Sequence, residues 1–163
     1  MNLSKIQIRE LNQDESVFLK EMTYQSVFVL KNEPPAPKDI INLPELCKYY
    51  KNWGRSGDHC LIAEYKGEKI GAVWCRLYNE NNKGFVYVSE DIPELSIAVD
   101  KSYRNKGVGT LLLGAFYKYL NGSGFNSISL SVDKRNPAVN LYQRTGFKII
   151  RTNENDHIML KEL

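Results

Sequence analysis

The residues whose spacing carries chemistry lie between Val99 and Thr110, in the run Arg104-Asn105-Lys106-Gly107-Val108-Gly109. Glycine lets a ligand reach the backbone without a Cβ in the way. A helix beginning at Val108 offers N–H groups that have no partner inside the helix and that carry the positive end of its dipole. Arg104 and Lys106 place cations beside them. Together these features would suit a phosphate. A tight strand-to-helix turn with solvated basic residues would draw on the same residue types. A three-glycine dinucleotide fingerprint needs glycine or alanine three residues after the second glycine, where this chain has Leu112, and a P-loop needs a Gly-Lys-Ser/Thr that is not here. Asp133 ends the following strand about where a ribose-binding carboxylate belongs, which keeps a dinucleotide-binding protein as an alternative.

A second run, Asn136-Pro137-Ala138-Val139-Asn140-Leu141-Tyr142-Gln143-Arg144-Thr145-Gly146-Phe147, follows in the same half of the chain. With both runs in this order, the chain resembles the GNAT superfamily of acyl-CoA-dependent N-acetyltransferases. That family carries Arg/Gln-x-x-Gly-x-Gly/Ala after a strand, then Asn-x-x-Ala-x-x-Leu-Tyr-x-x-x-Gly-Phe. The resemblance is strong from Glu94 to Phe147 and fades towards both ends.

It implies acetyl-CoA as co-substrate and a primary amine as acceptor. The pyrophosphate would rest on Arg104, Asn105, Lys106, Gly107, Val108, Gly109 and Thr110. The pantetheine arm would run along Ile97, Ala98 and Val99, whose amides also suit an oxyanion. Asn136 matches an asparagine that contacts the cofactor, and is also an ordinary helix cap. Tyr142 matches the tyrosine that protonates the departing thiolate, and a phenol is protonated at neutral pH. An alkyl ammonium has a pKa of about 10, so attack needs a base. The family often uses a glutamate on the central strand. Glu94 occupies that place, with Glu90 or Asp91 acting through water as alternatives. No Cys or Ser constellation supports an acyl-enzyme, so the amine would attack directly in a ternary complex. A non-catalytic acyl-CoA-binding or sensing module is the alternative from another class.

These residues need elements to hold them. Leu95, Ile97 and Val99 alternate with Ser96 and Ala98 as a strand does. Val108, Leu111, Leu112, Ala115, Phe116, Tyr119 and Leu120 form one helical stripe, stopped by Asn121-Gly122. Ile128, Leu130 and Val132 make a further strand, parallel to 95–99. Asn136-Pro137 opens a helix that Gly146 ends. Earlier in the chain, the pattern predicts a strand over 5–9, a helix from about Val17 to Lys31 and an irregular proline stretch over 33–37. A short helix from Pro44 follows, carrying Leu46, Tyr49, Tyr50 and Trp53. Strands are expected over 60–65 and 69–77 around Lys66-Gly67, and another over 84–88. Phe147 to Arg151 and Asp156 to Lys161 close the chain as strands. The architecture is a mixed α/β fold: a mostly antiparallel sheet with one parallel pair in the middle and about four flanking helices. Tyr49, Tyr50 and Trp53 are candidates for the acceptor-side wall, although aromatic residues at helical spacing are most often core.

The chain of 163 residues is long enough for one domain with a sizeable core, expected to span the whole length. A net charge of +3 is too small to argue for nucleic acid. Cys47, Cys60 and Cys75 lack metal-ligand spacing, and with His59 and His157 they give no metal site. Reduced thiols and the lack of a leader-like or membrane-length apolar run predict a cytoplasmic protein without a membrane partner. A homodimer is left open.

Overall fold

A computed structural model describes residues 1–163. In chain order the elements are β1 (Ile6–Glu10), α1 (Ser16–Ser26), α2 (Pro44–Cys47), β2 (His59–Tyr65), β3 (Glu68–Arg76), β4 (Glu94–Val99), α3 (Val108–Leu120), β5 (Ser127–Asp133), α4 (Ala138–Arg144), β6 (Lys148–Thr152) and β7 (Asp156–Glu162). The strands form one seven-stranded sheet in the order β1-β2-β3-β4-β5-β7-β6. Only β4 and β5 run parallel; every other neighbouring pair is antiparallel. The expected mixed α/β architecture is the one that forms. No helix is long and apolar enough to cross a membrane.

Strand alternation sends Leu61, Val73, Leu95, Ile128 and Leu130 to one face, where α3 covers them. Ile62, Ala72, Trp74 and Ala98 point to the other, against Leu19 and Met22 of α1. The predicted bounds of α3 hold to the residue. Its buried face is Val108, Leu112, Leu113, Phe116 and Leu120. Leu113 takes the place expected of Leu111, because a helix lying on a sheet buries a stripe wider than a single i, i+4 row. Each of these large side chains, once fully buried, contributes about 1.5–3 kcal/mol. Lys66 and Gly67, with φ of 54° and 81°, supply the two left-handed residues of the expected tight hairpin.

Three expectations fail. Helix α1 stops at Ser26 rather than near Lys31. The Thr23 and Ser26 hydroxyls bond back to the carbonyls of Leu19 and Thr23 at 2.8 and 2.7 Å, which loosens the last turn. Arg104 then caps that turn by donating to the Gln25 carbonyl. Helix α2 is a single turn, and Lys48 to Asn52 continue as turns. Residues 84–88 are not a strand. The N–H groups of Phe85 and Tyr87 are spent on the Tyr49 phenol and the Glu94 carboxylate, so β3 pairs directly with β4.

Candidate active site

The parallel pair at the centre of the sheet is joined at one position only, Glu94 opposite Ser129, where the Ser129 N–H donates to the Pro93 carbonyl at 3.0 Å. Beyond it the two strands part. The Asp100 N–H bonds across to Ile70, so by strand alternation Ala98 and Ser96 also direct their backbone groups at β3. Leu95, Ile97 and Val99 turn theirs to the gap. Of the three residues expected to run beside a pantetheine arm, Ile97 offers free backbone there. Ala98 is engaged in the ladder, and the Val99 carbonyl accepts Arg104 Nε at 2.9 Å.

A cleft of about 340 Å³ opens at this splay. It brings together four of the sequence-predicted residues: Glu94, Ile97, Asn136 and Tyr142. Asn136 Oδ1 accepts the Ala138 N–H at 2.9 Å, so the residue caps α4 and still reaches the cleft. Tyr142 stands half-buried, edge-on to Phe147 with ring centroids 5.9 Å apart. Desolvation, the larger effect, and the nearby Tyr117 push its phenol above the ordinary tyrosine value, so it stays a proton donor.

The loop ahead of α3 lies beside this cleft and does not line it. Gly107 is left-handed at φ 86°, a conformation glycine adopts without cost, and no side chain caps the helix. The first bond of α3 is Leu111 N–H to the Gly107 carbonyl at 3.1 Å, which leaves the N–H groups of Val108, Gly109 and Thr110 without an acceptor in the protein. Gly109 has a packing role too. A Cβ there would sit 3.3 Å from Leu141 Cδ2, so glycine allows α4 to come close to α3. Arg104 and Lys106 are less free than a pair of solvated cations. Arg104 donates to Val99, and its Nη2 to the Gln25 carbonyl and side-chain oxygen at 2.9 and 3.1 Å; Lys106 donates to the Ser102 carbonyl at 2.8 Å.

Glu94 is 3% exposed. Its Oε2 accepts the Tyr49 phenol and its Oε1 the Tyr87 N–H, each at 2.8 Å. Burial raises its carboxyl above the usual carboxylate range, and these hydrogen bonds pull the other way. A Cβ on Gly84 would collide with the carboxylate, so the residue wrapping this group must be glycine. The other two acids considered, Glu90 and Asp91, lie on the exposed loop, where Asp91 is hydrogen-bonded to Ser89.

Sequence reasoning missed several residues of the site. Val27 and Phe28 turn into the cleft because α1 ends before them. Phe85 lines it and stacks on Tyr49 at 5.8 Å. Of the aromatic cluster weighed as a wall, Tyr49 reaches the cleft, whereas Tyr50 belongs to the core beneath α1 and Trp53 packs against that same core. Arg76 and Asp58 were not singled out at all. Each is 1% exposed as a side chain, and Arg76 Nη2 meets Asp58 Oδ2 at 2.6 Å. Asp133 does line the cleft, but it is bound to Arg135 at 2.7 Å and pulled down to about 2 by that hydrogen bond.

The sequence profile of the Acetyltransferase (GNAT) family matches residues 23–147. The chain is 30% identical over 110 residues to N-alpha-acetyltransferase 50 of Danio rerio, covering 66% of this chain and 62% of that protein. It is 29% identical over 109 residues to the Probable N-acetyltransferase san of Drosophila melanogaster, covering 66% and 56%. The chain thus spans 56–62% of the length of these relatives. PaiA N-acetyltransferase from Thermoplasma acidophilum, solved in complex with coenzyme A, superposes with a TM-score of 0.64 at 21% identity, covering 97% of this chain and 99% of that one. A GCN5-related N-acetyltransferase from Kribbella flavida gives a TM-score of 0.69 at 18% identity, covering 99% and 100%. These two share the fold over nearly the whole chain. With most of its length inside the family profile, the chain belongs to the GNAT acetyltransferase family.

Proposed function

We propose that the protein transfers an acetyl group from acetyl-CoA to a primary amine by direct attack in a ternary complex. The observation that carries this is the gap beside β4, where free backbone groups at Ile97 share one cleft with a buried carboxylate and a phenol that makes no hydrogen bond within the protein. The uncapped start of α3 stands next to it, fit to receive a diphosphate on the N–H groups of Val108, Gly109 and Thr110. The coenzyme A complex of the Thermoplasma protein supports the same cofactor here.

Glu94 takes a proton from the bound ammonium. The freed nitrogen lone pair attacks the thioester carbonyl, and the Ile97 N–H stabilises the oxygen as it gains charge. When the C–S bond breaks, Tyr142 gives its proton to the sulfur; the nitrogen sheds its second proton, which restores the phenol, and the neutral amide leaves. Arg104 and Lys106 hold the loop in shape and add positive charge near the diphosphate. We place the protein in the cytoplasm, a reading supported by its three free thiols.

The test is thiol release from acetyl-CoA across a panel of amines. The name of the Danio rerio relative supports beginning with peptide α-amines. Release with at least one amine is expected, with Tyr142→Phe lowering kcat about 100-fold while coenzyme A affinity is kept. Tight coenzyme A binding with no release from any amine overturns the enzyme reading in favour of a sensing module. A melting temperature raised by NAD and not by coenzyme A overturns both.

A further inference from the structure

The carboxylate of Glu94 is enclosed by the loop after β3, yet only one side chain hydrogen-bonds to it. That side chain is Tyr49, 45 residues earlier in the chain. Its phenol donates to Glu94 Oε2 at 2.8 Å and its oxygen accepts the Phe85 N–H at 2.8 Å. The ring stacks on Phe85 and lies tilted on Tyr78, with centroids 5.8 and 5.4 Å away. One hydroxyl therefore ties the carboxylate to the backbone of the loop that walls the cleft.

Tyr49 is itself held from behind. Arg76 Nη1 donates to the carbonyls of Lys48 and Lys51, each at 2.7 Å, and Nη2 to that of Asn52 at 3.1 Å. These carbonyls flank Tyr49 on both sides. The remaining guanidinium donors meet Asp58 at 2.8 and 2.6 Å. A buried ion pair is a poor source of net stability, because desolvation offsets its attraction. This one spends its rigid fork on shaping a turn, which lysine's point charge cannot do.

On the acetyltransferase reading given above, we propose that Tyr49 is a positioning residue for the reaction. Its phenol holds the Glu94 carboxylate in place as proton acceptor and, through the Phe85 N–H, fixes residues 84–87 as the acceptor-side wall. A donor aimed at a carboxylate favours the charged form. Around Glu94 stand Lys48 and Tyr49 from the turn after α2, Arg76 and Tyr78 from β3 and its extension, and Tyr87 from the loop. Arg76 is neutralised by Asp58, and Lys48 Nζ is bonded to the Lys83 carbonyl at 2.7 Å. Burial already outweighs the donors around Glu94, and removing the Tyr49 hydroxyl takes away one of those that oppose it, so the carboxylate holds its proton to higher pH.

The experiment measures kcat and KM against pH for the full chain with acetyl-CoA and its best amine, comparing wild type, Tyr49→Phe, Glu94→Gln and Tyr50→Phe. Tyr50 is equally buried, and its hydroxyl bonds to the Ile41 carbonyl at 3.1 Å, away from Glu94. Tyr49→Phe is expected to lower kcat/KM for the amine at neutral pH about tenfold or more and to move the acid limb to higher pH. KM for acetyl-CoA should stay within about twofold, the lost contact being on the acceptor side. Tyr50→Phe should leave the limb in place, and Glu94→Gln should abolish it. A wild-type limb in Tyr49→Phe overturns the proposal, as does a limb that survives Glu94→Gln. Absence of turnover by wild type with every amine sinks the acetyltransferase reading instead. Should Tyr49→Phe melt too low to assay, Arg76→Lys decides: the same displacement of the limb supports the proposal, and an unmoved limb overturns it.

Discussion

Arg104 donates through Nη2 to the backbone carbonyl of Gln25 at 2.9 Å and so fastens the basic loop before α3 to the last turn of α1, 79 residues earlier. The same guanidinium reaches the Val99 carbonyl through Nε. A cation at a helix C-terminus is favoured by the helix dipole, and the carbonyls there have no partner within the helix. The contact joins the two halves of the site: the loop suited to a diphosphate, and the segment from which Val27 and Phe28 enter the cleft.

Arg104→Ala should therefore raise KM for both acetyl-CoA and amine, and lower stability by about 1 kcal/mol. Arg104→Lys, which keeps the charge and loses the fork, should fall between. Steady-state kinetics with each substrate varied, together with urea midpoints, check this. A rise confined to acetyl-CoA contradicts the joint role.

Gly84→Ala places a methyl group where the Glu94 carboxylate already stands. Either the loop lifts or the carboxylate moves, at a cost of about 1–3 kcal/mol. The expected result is a lower kcat together with faster hydrogen exchange at the amides of Phe85 and Tyr87. Gly114→Ala is the control, because nothing lies within 4 Å of a Cβ there. It should be neutral or slightly stabilising.

Asp58→Asn leaves the Arg76 guanidinium buried without its counter-charge. Breaking a buried pair from one side costs about 3–5 kcal/mol. Chemical denaturation should show a loss of that order. The double substitution Asp58→Leu with Arg76→Met removes the unpaired charge but leaves the carbonyls of Lys48, Lys51 and Asn52 without their donor, so it should recover only part of the stability and little of the activity.

Glu15 gathers Arg9 at 2.7 Å and Lys69 at 3.0 Å. The hydrogen bond from Arg9, ahead of all other influences, holds its carboxyl well below the ordinary 4.5. A depressed folded value means that the unfolded chain takes up the proton first as pH falls. The stabilisation is complete above about 4.5 and drains away as the pH drops below it. Urea midpoints at pH 7 and pH 3 should therefore fall less in Glu15→Gln than in wild type.

How much of this was legible depends on where each partner lies in the chain. Helix α3 could be bounded to the residue because Gly107 and Asn121 sit at its ends and its own period marks its face. Strands β2, β3 and β5 follow from alternation, and the parallel pair from the helix between its strands. Glu94, Ile97, Asn136 and Tyr142 could be placed because each belongs to, or adjoins, a contiguous motif. Most of the failures involve a partner far off in sequence. Helix α1 ends where Arg104 meets it, and residues 84–88 give their donors to Glu94 and to a phenol 36 residues away. Arg76 and Asp58, 18 residues apart, form no local pattern, and only folding shows the guanidinium reaching three carbonyls of the turn around Tyr49.

The lone rung between Glu94 and Ser129 makes the sheet mechanically two plates, one of four strands and one of three, with a seam between them. The core under α3 spans that seam and keeps the plates aligned. Anything wedged along the seam bears on both plates at once, so its grip stiffens the molecule as mortar stiffens a joint, out to the far borders at β1 and β6.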